Sequence, residues 1–191
     1  MSTEELSPIA ANAVLIIIDV QKAIDHPSWG RRNNEHAETN IARLLTGWRK
    51  TQRPIAHVRH LSTDPNSTYR PGQEGCEFKE IVLPHPGETV VDKQVNCAFI
   101  GTDLETWLRS QGYQTLIVTG VITNNSVEAT VRVAGNLGFE TYVVSDATAT
   151  FDKKDLEQNV HPAELVHAIS LANMHGEYAT VIATDTLLRR L

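Results

Sequence analysis

The chain alternates short, continuously apolar runs with longer stretches in which apolar residues recur every three or four positions. Residues 13–18 form an unbroken run rich in β-branched side chains, the pattern of a strand covered on both faces. Residues 35–50 follow, with Ile41, Leu44, Leu45 and Trp48 on one stripe, and predict a helix. Residues 54–59 read as a second strand, and 89–91 as a short one ending at Lys93. Thr102-Asp103-Leu104-Glu105 is a capping-box pattern. It opens a helix with Leu104, Trp107, Leu108 and Gln111 on one face, closed by Gly112. A buried strand at 115–119 leads to a helix at 125–137, striped by Val127, Thr130, Val131 and Ala134 and stopped by Gly138. A strand at 141–145, a helix at 162–175 with proline in its first turn, and a strand at 179–183 complete the pattern.

Strands alternating with helices predict an α/β architecture, a mostly parallel sheet with helices on both faces. The length of 191 residues suits one domain over 1–191. Within it, 1–12 reads as a polar N-terminal extension. The stretch 61–86, rich in Pro, Gly, Ser and Asp, reads as a long functional loop or lid. Ligands of such sheets bind beyond the carboxyl ends of the strands. The side chains expected there are Asp19, Gln21, His60, Lys93, the segment 120–126 and Asp146.

Composition narrows the function. With 41% hydrophobic and 21% charged residues the chain is an ordinary globular protein. A net charge of −6 argues against a nucleic-acid or anionic-membrane binder, and the longest apolar run is too short to span a bilayer. No signal peptide is expected in 1–12. The two cysteines, Cys76 and Cys97, form no disulfide framework or zinc spacing, so a cytoplasmic setting is expected.

Three features in order carry a family resemblance: Ile17-Ile18-Asp19-Val20-Gln21; Lys93 followed by Ala98-Phe99-x-Gly101-Thr102-x-Leu104; and Gly120-Val121-x-Thr123-x-x-Ser126-Val127-x-x-Thr130. The stretch 134–139 and Asp146-Ala147 add to it. Together they resemble the isochorismatase-like (cysteine hydrolase) family over nearly the whole chain. The resemblance implies a three-layer Rossmann-like sandwich. It also implies a hydrolase of a small polar metabolite, acting on an amide or ureido bond through an Asp–Lys–Cys triad. Carried onto this chain, Asp19 is the general base or acid, Lys93 the electrostatic partner and Ser126 the nucleophile. The backbone amides of Ile122 and Ser126 would hold the oxyanion, and a cis peptide would join Val121 to Ile122. Such a constellation is chemically coherent: a carboxylate takes and returns the nucleophile's proton, and a helix start favours developing negative charge. The family also implies a homo-oligomer, with no cofactor.

Ser126 stands where the resemblance expects cysteine. A hydroxyl is a far weaker acid than a thiol. Three readings stay open: a working serine nucleophile, an engineered replacement of cysteine, or a non-covalent hydrolase in which Asp19 protonates a vinyl ether. A ligand-binding or scaffold protein that kept the fold is the competing class. Taken alone, Ser126 reads as helix-start chemistry beside Thr123, Asn124 and Asn125, Asp19 as a helix cap, and Lys93 as a surface lysine; the motifs favour function for all three. Gln21, Trp29, His60 and Phe99 are candidate substrate contacts, and Arg31, Arg32 or Arg59 candidate partners for a substrate carboxylate. No metal site is expected: His57 and His60, three apart on a strand, point to opposite faces, and the Asp-x-His of metal-binding nicotinamidases is missing. Cys97 reads as a small buried residue and Cys76 as incidental.

Overall fold

A computed structural model of the protein describes residues 7–191. Its strands are β1 (Val14–Ile18), β2 (Ile55–His60), β3 (Thr89–Lys93), β4 (Thr115–Val121), β5 (Glu140–Ala149), β6 (Lys153–Lys154), β7 (Val160–His161) and β8 (Thr180–Ile182). The helices are α1 (Ala37–Lys50), α2 (Leu104–Ser110), α3 (Glu128–Asn136), α4 (Ala163–Met174) and α5 (Thr184–Leu188). Six strands form a parallel sheet in the order β3-β2-β1-β4-β5-β8, and β6 and β7 make a separate antiparallel pair.

The unbroken apolar run of β1 follows from its central place. Val14, Ile16 and Ile18 pack on one face against Leu104 and Leu108 of α2, Val131 and Ala134 of α3, and Met174 of α4. Leu15 and Ile17 pack on the other with Ile41, Leu44, Leu45 and Trp48 of α1 and Leu187 of α5. Successive side chains point to opposite faces and both faces are dry, so polar alternation would place a polar group in one core. The expected three-layer α/β architecture is the observed one.

Several local expectations change. The capping box does not close: Thr102 Oγ1 accepts from the Leu104 N–H at 3.3 Å and donates to Ala98 O, while Glu105 pairs with Arg109 one turn on. β5 runs beyond 145 because a register shift against β4 lets it rejoin at Gly120↔Thr148. Of the expected extension at 1–12, residues 1–6 lie outside the described residues. Ile9 is buried in the α1-side core, its N–H bonded to Arg190 O at 2.9 Å. The loop at 61–86 folds back onto the sheet end, with Tyr69, Cys76 and Val82 buried.

Candidate active site

Three strand ends deliver the central cluster. Asp19 directly follows β1, β3 ends at Lys93, and the turn after β4 carries Ser126. Lys93 Nζ is the hub. It lies 2.7 Å from Asp19 Oδ2, 3.2 Å from Val95 O, 3.3 Å from His60 Nδ1 and 3.3 Å from Ser126 Oγ. The three ammonium protons thus face four acceptors, so at any moment one acceptor goes without. The Lys93 side chain is 0% exposed and that of Asp19 6%. Asp19 Oδ1 is buried with no hydrogen-bond partner among the described residues. Burial raises the Asp19 pKa above its ordinary value, against the lowering pull of Lys93 and the Ser126 hydroxyl.

Local backbone geometry aims these groups. Asp19 has φ +55°, a left-handed conformation that aspartate tolerates better than most residues. It turns the chain sharply at the end of β1, with Gln21 N bonded to Asp19 O at 2.8 Å. Beside it, Gly120 has φ +114°, and a Cβ there would lie 2.1 Å from Ile18 O. Only glycine lets β4 pass so near the strand end that carries Asp19.

Ser126 sits in a π-helical turn, Thr123–Val127, where the sequence pattern predicts ordinary helix. Val127 N reaches back five residues to Ile122 O at 3.3 Å. Such wide turns gather at functional sites because they re-aim a side chain. The Val121–Ile122 peptide is cis. The turn is tied from two sides: Asn124 Oδ1 accepts from the Thr150 hydroxyl, and Thr123 Oγ1 lies 3.0 Å from His167 Nδ1. His167 Nε2 meets Ser145 O at 3.0 Å. Because a carbonyl only accepts, Nε2 carries the proton and Nδ1 takes the Thr123 hydroxyl's. Burial lowers the His167 pKa, which keeps this tautomer neutral.

The structure sorts the remaining candidates. His60 joins the cluster; burial and the Lys93 charge push its pKa down to about 4. An ammonium only donates, so His60 Nδ1 accepts and Nε2 holds the ring proton. Trp29 stands in an aromatic row, stacked on Phe151 (5.5 Å between ring centroids) and edge-on to Tyr69 (6.3 Å), which is edge-on to His60 (5.5 Å). Gln21 spends its amide on internal hydrogen bonds. Its Nε2 donates to His60 O and Cys76 O and its Oε1 accepts from His60 N, so the fully buried amide clamps β2 and the long loop to β1. Phe99 is buried in the core, stacked on Phe139 (6.0 Å). None of the three arginines is free: Arg31 pairs with Asp152 and Glu164, Arg32 with Glu38, and Arg59 with Asp92. Asp146 serves α5, accepting from the Thr184 N–H and hydroxyl at 2.8 Å. Cys97 is buried, and Cys76 is no bystander, since Sγ lies 3.4 Å from Tyr69 O and its carbonyl receives Gln21. His57 turns to Glu88 (2.8 Å), away from His60, and no three His, Cys, Asp or Glu side chains gather as a ligand set among the described residues.

Sequence reasoning missed Tyr69, whose hydroxyl lies 3.3 Å from Asp19 O, and His167. Tyr69 lies in a loop without periodicity. His167 offered only one weak signal, a polar residue on an apolar helix.

Residues 13–186 match the model of the isochorismatase domain. The chain is 45% identical to the isochorismatase family protein YrdC of Bacillus subtilis, over 91% of this chain and 93% of that one. It superposes with a TM-score of 0.93 on the crystal structure of an isochorismatase-family hydrolase from Chromobacterium violaceum, 50% identical and covering 97% of each chain. Nicotinamidase 3 of Arabidopsis thaliana is 27% identical over 99% of this chain and 93% of its own. With the sheet order, the strand-end cluster and these similarities in agreement, the chain belongs to the isochorismatase family of hydrolases.

Proposed function

We propose that this chain hydrolyses a carbon–nitrogen bond, amide or ureido, of a small polar metabolite, with Ser126 as nucleophile, Asp19 as proton carrier and Lys93 as electrostatic partner. One observation carries the reading: a buried ammonium stands within 3.3 Å of both the Asp19 carboxylate and the Ser126 hydroxyl. The activity named for nicotinamidase 3 is in keeping with an amide.

In this reading Ser126 Oγ bonds to the carbonyl carbon as its proton passes to Asp19 Oδ1, the oxygen left without a partner. The carbonyl π electrons move to oxygen, held by the N–H groups of Ile122 and Ser126. Ile122 lies between the end of β4 and the turn, so its N–H is outside the β ladder. As the tetrahedral adduct collapses, the carbon–nitrogen bond breaks and Asp19 protonates the leaving nitrogen. Water then attacks the acyl carbon and gives a proton to Asp19, which returns it to Ser126 as the acid departs. Burial makes Asp19 a stronger base than an exposed carboxylate, which a weakly acidic serine requires. Lys93 stabilises the developing alkoxide at short range in a site of low polarisability.

The raised Asp19 also favours a second reading, in which its protonated carboxyl acts as acid on a vinyl ether and water adds to the activated carbon, leaving Ser126 uninvolved. The test is turnover of a panel of amides, ureido acids and isochorismate by the wild type, Ser126→Ala and Ser126→Cys, with mass spectrometry for an acyl adduct. Covalent catalysis requires Ser126→Ala to lose roughly 10³-fold or more, with an acyl mass on Ser126 in the wild type. Full turnover by Ser126→Ala would move the mechanism to the vinyl-ether route. Silence of wild type and Ser126→Cys across the panel would point to a ligand-binding protein on the same fold.

A further inference from the structure

His167 bonds to none of the Asp19, Lys93 and Ser126 side chains, yet it ties the turn that carries Ser126 to the rest of the fold. It is buried in the middle of α4, with both ring nitrogens engaged. Nδ1 accepts from the Thr123 hydroxyl at 3.0 Å, and Nε2 donates to Ser145 O at 3.0 Å. Ser145 lies in the stretch of β5 where the register shifts against β4. The Asn34 amide fixes the same stretch: Nδ2 donates to Ser145 O at 2.9 Å and to Thr148 O at 2.7 Å. With both protons spent there, Nδ2 stands 3.4 Å from His167 Nε2 as a fellow donor to Ser145 O. That leaves Nε2 as the ring's donor and Nδ1 as its acceptor.

The turn needs such a tie. At its start Asn125 N (3.0 Å) and Val127 N (3.3 Å) both hang on one carbonyl, Ile122 O, so side chains set much of its tilt. Thr123, fully buried, opens the turn three residues before Ser126. A shift of Thr123 passes along the turn to Ser126 Oγ, which lies 3.3 Å from Lys93 Nζ. An apolar side chain could fill the space of the imidazole. A ring bonded at both nitrogens adds direction, because hydrogen bonds weaken steeply away from linearity. We propose, resting on the reading of Ser126 as nucleophile, that His167 is a positioning residue for it. By accepting the Thr123 hydroxyl while donating to β5, His167 holds the turn in register with Lys93 and Asp19.

Alkylation of the Ser126→Cys variant by iodoacetamide tests this without a known substrate, with peptide mass spectrometry separating the new thiol from Cys76 and Cys97. Two changes at position 167 are compared in that background. His167→Asn keeps an acceptor where Nδ1 stands and loses the donor; His167→Gln keeps a donor where Nε2 stands and loses the acceptor. Each retains one bond of two, so their urea midpoints should fall alike, and a brace that served stability alone would not tell them apart. The thiol should keep most of its rate with His167→Asn. It should slow by roughly 10- to 100-fold with His167→Gln, the range for a reacting group misplaced by up to about 1 Å. Thr123→Val should slow it as much, and adding His167→Gln to Thr123→Val should change little further, because both remove one bond. A thiol at position 126 that reacts no faster than in the urea-unfolded chain would end the nucleophile reading and this proposal with it. A reactive thiol indifferent to His167→Gln would overturn the role of His167 alone. So would equal slowing by His167→Asn and His167→Gln, or full additivity of Thr123→Val with His167→Gln.

Discussion

Gly120→Ala adds one methyl group, yet the geometry makes it a severe change. The new Cβ would stand 2.1 Å from Ile18 O, 2.6 Å from Ile18 N and 2.8 Å from Ile18 C, all backbone atoms of a central strand. Reaching an ordinary contact of 3.4 Å from 2.1 Å demands a shift of about 1.3 Å between β4 and the end of β1. Overpacking of this kind costs about 1–3 kcal/mol, and an L-residue at φ +114° adds about 1–3 kcal/mol of backbone strain. Together they amount to roughly 2–6 kcal/mol of stability. The displaced residue is the neighbour of Asp19, whose Oδ2 sits 2.7 Å from Lys93 Nζ. Misplacing a reacting group by about 1 Å costs on the order of 100-fold in rate. Urea unfolding should therefore show the full loss, and the fraction that remains folded should turn over about 100-fold more slowly. A Gly120→Ala variant within about 0.5 kcal/mol of the wild type and with full activity would refute the argument, because it would mean the two strands are free to part.

Removing the Lys93 ammonium with Lys93→Met leaves the Asp19 carboxylate buried and unpaired, and should cost about 3–5 kcal/mol at neutral pH in denaturant unfolding. Because Asp19 then binds its proton still more tightly when folded, the deficit should shrink as pH falls; a deficit independent of pH would exclude this cause. His60 should stay neutral, with its proton on Nε2, well below pH 6.5, and ¹⁵N chemical shifts should report a midpoint near its pKa of about 4. The unfolded chain takes up that proton between pH 6.5 and 4 and the folded chain does not, so this group's contribution to stability is lost as pH falls through the window; a midpoint near 6.5 would place the ring away from Lys93. Once turnover is measured, His60→Asn, which keeps an acceptor near the Nδ1 position, should retain more of it than His60→Ala; equal losses would deny His60 a role in holding Lys93. Gln21→Leu keeps the volume but strands the His60 N–H and the Cys76 carbonyl, and should destabilise by about 1–3 kcal/mol in thermal or urea unfolding. Unchanged stability would show that the clamp carries no weight.

Much of this protein is written in local pattern. An apolar run such as 13–18 and a stripe such as Ile41–Leu44–Leu45–Trp48 depend only on which faces are dry, so strand, helix and the α/β layering follow from periodicity. That Asp19, Lys93 and Ser126 come together follows from a related pattern: each lies at or just beyond the carboxyl end of a strand, and parallel strands present those ends together. What periodicity does not carry is the identity of a polar group's partner. Arg31, Arg32 and Arg59 look available in the chain and are paired in space, and the Gln21 amide, which also looks available, clamps β1 to β2. Phe99 sits in a motif beside the site yet stacks in the core, and Tyr69 and His167 reach the site from segments 50 and 41 residues away from Asp19 and Ser126. The widened turn at Thr123–Val127 and the close pass at Gly120 depend on atoms of other strands and helices. Sequence alone determined which segments become the strands and helices and hence which residues stand at the strand ends, because burial is a property each segment shows by itself. Only the tertiary structure decided which charges meet there, because a hydrogen bond needs two groups within about 3 Å, and that distance exists only once the chain has folded.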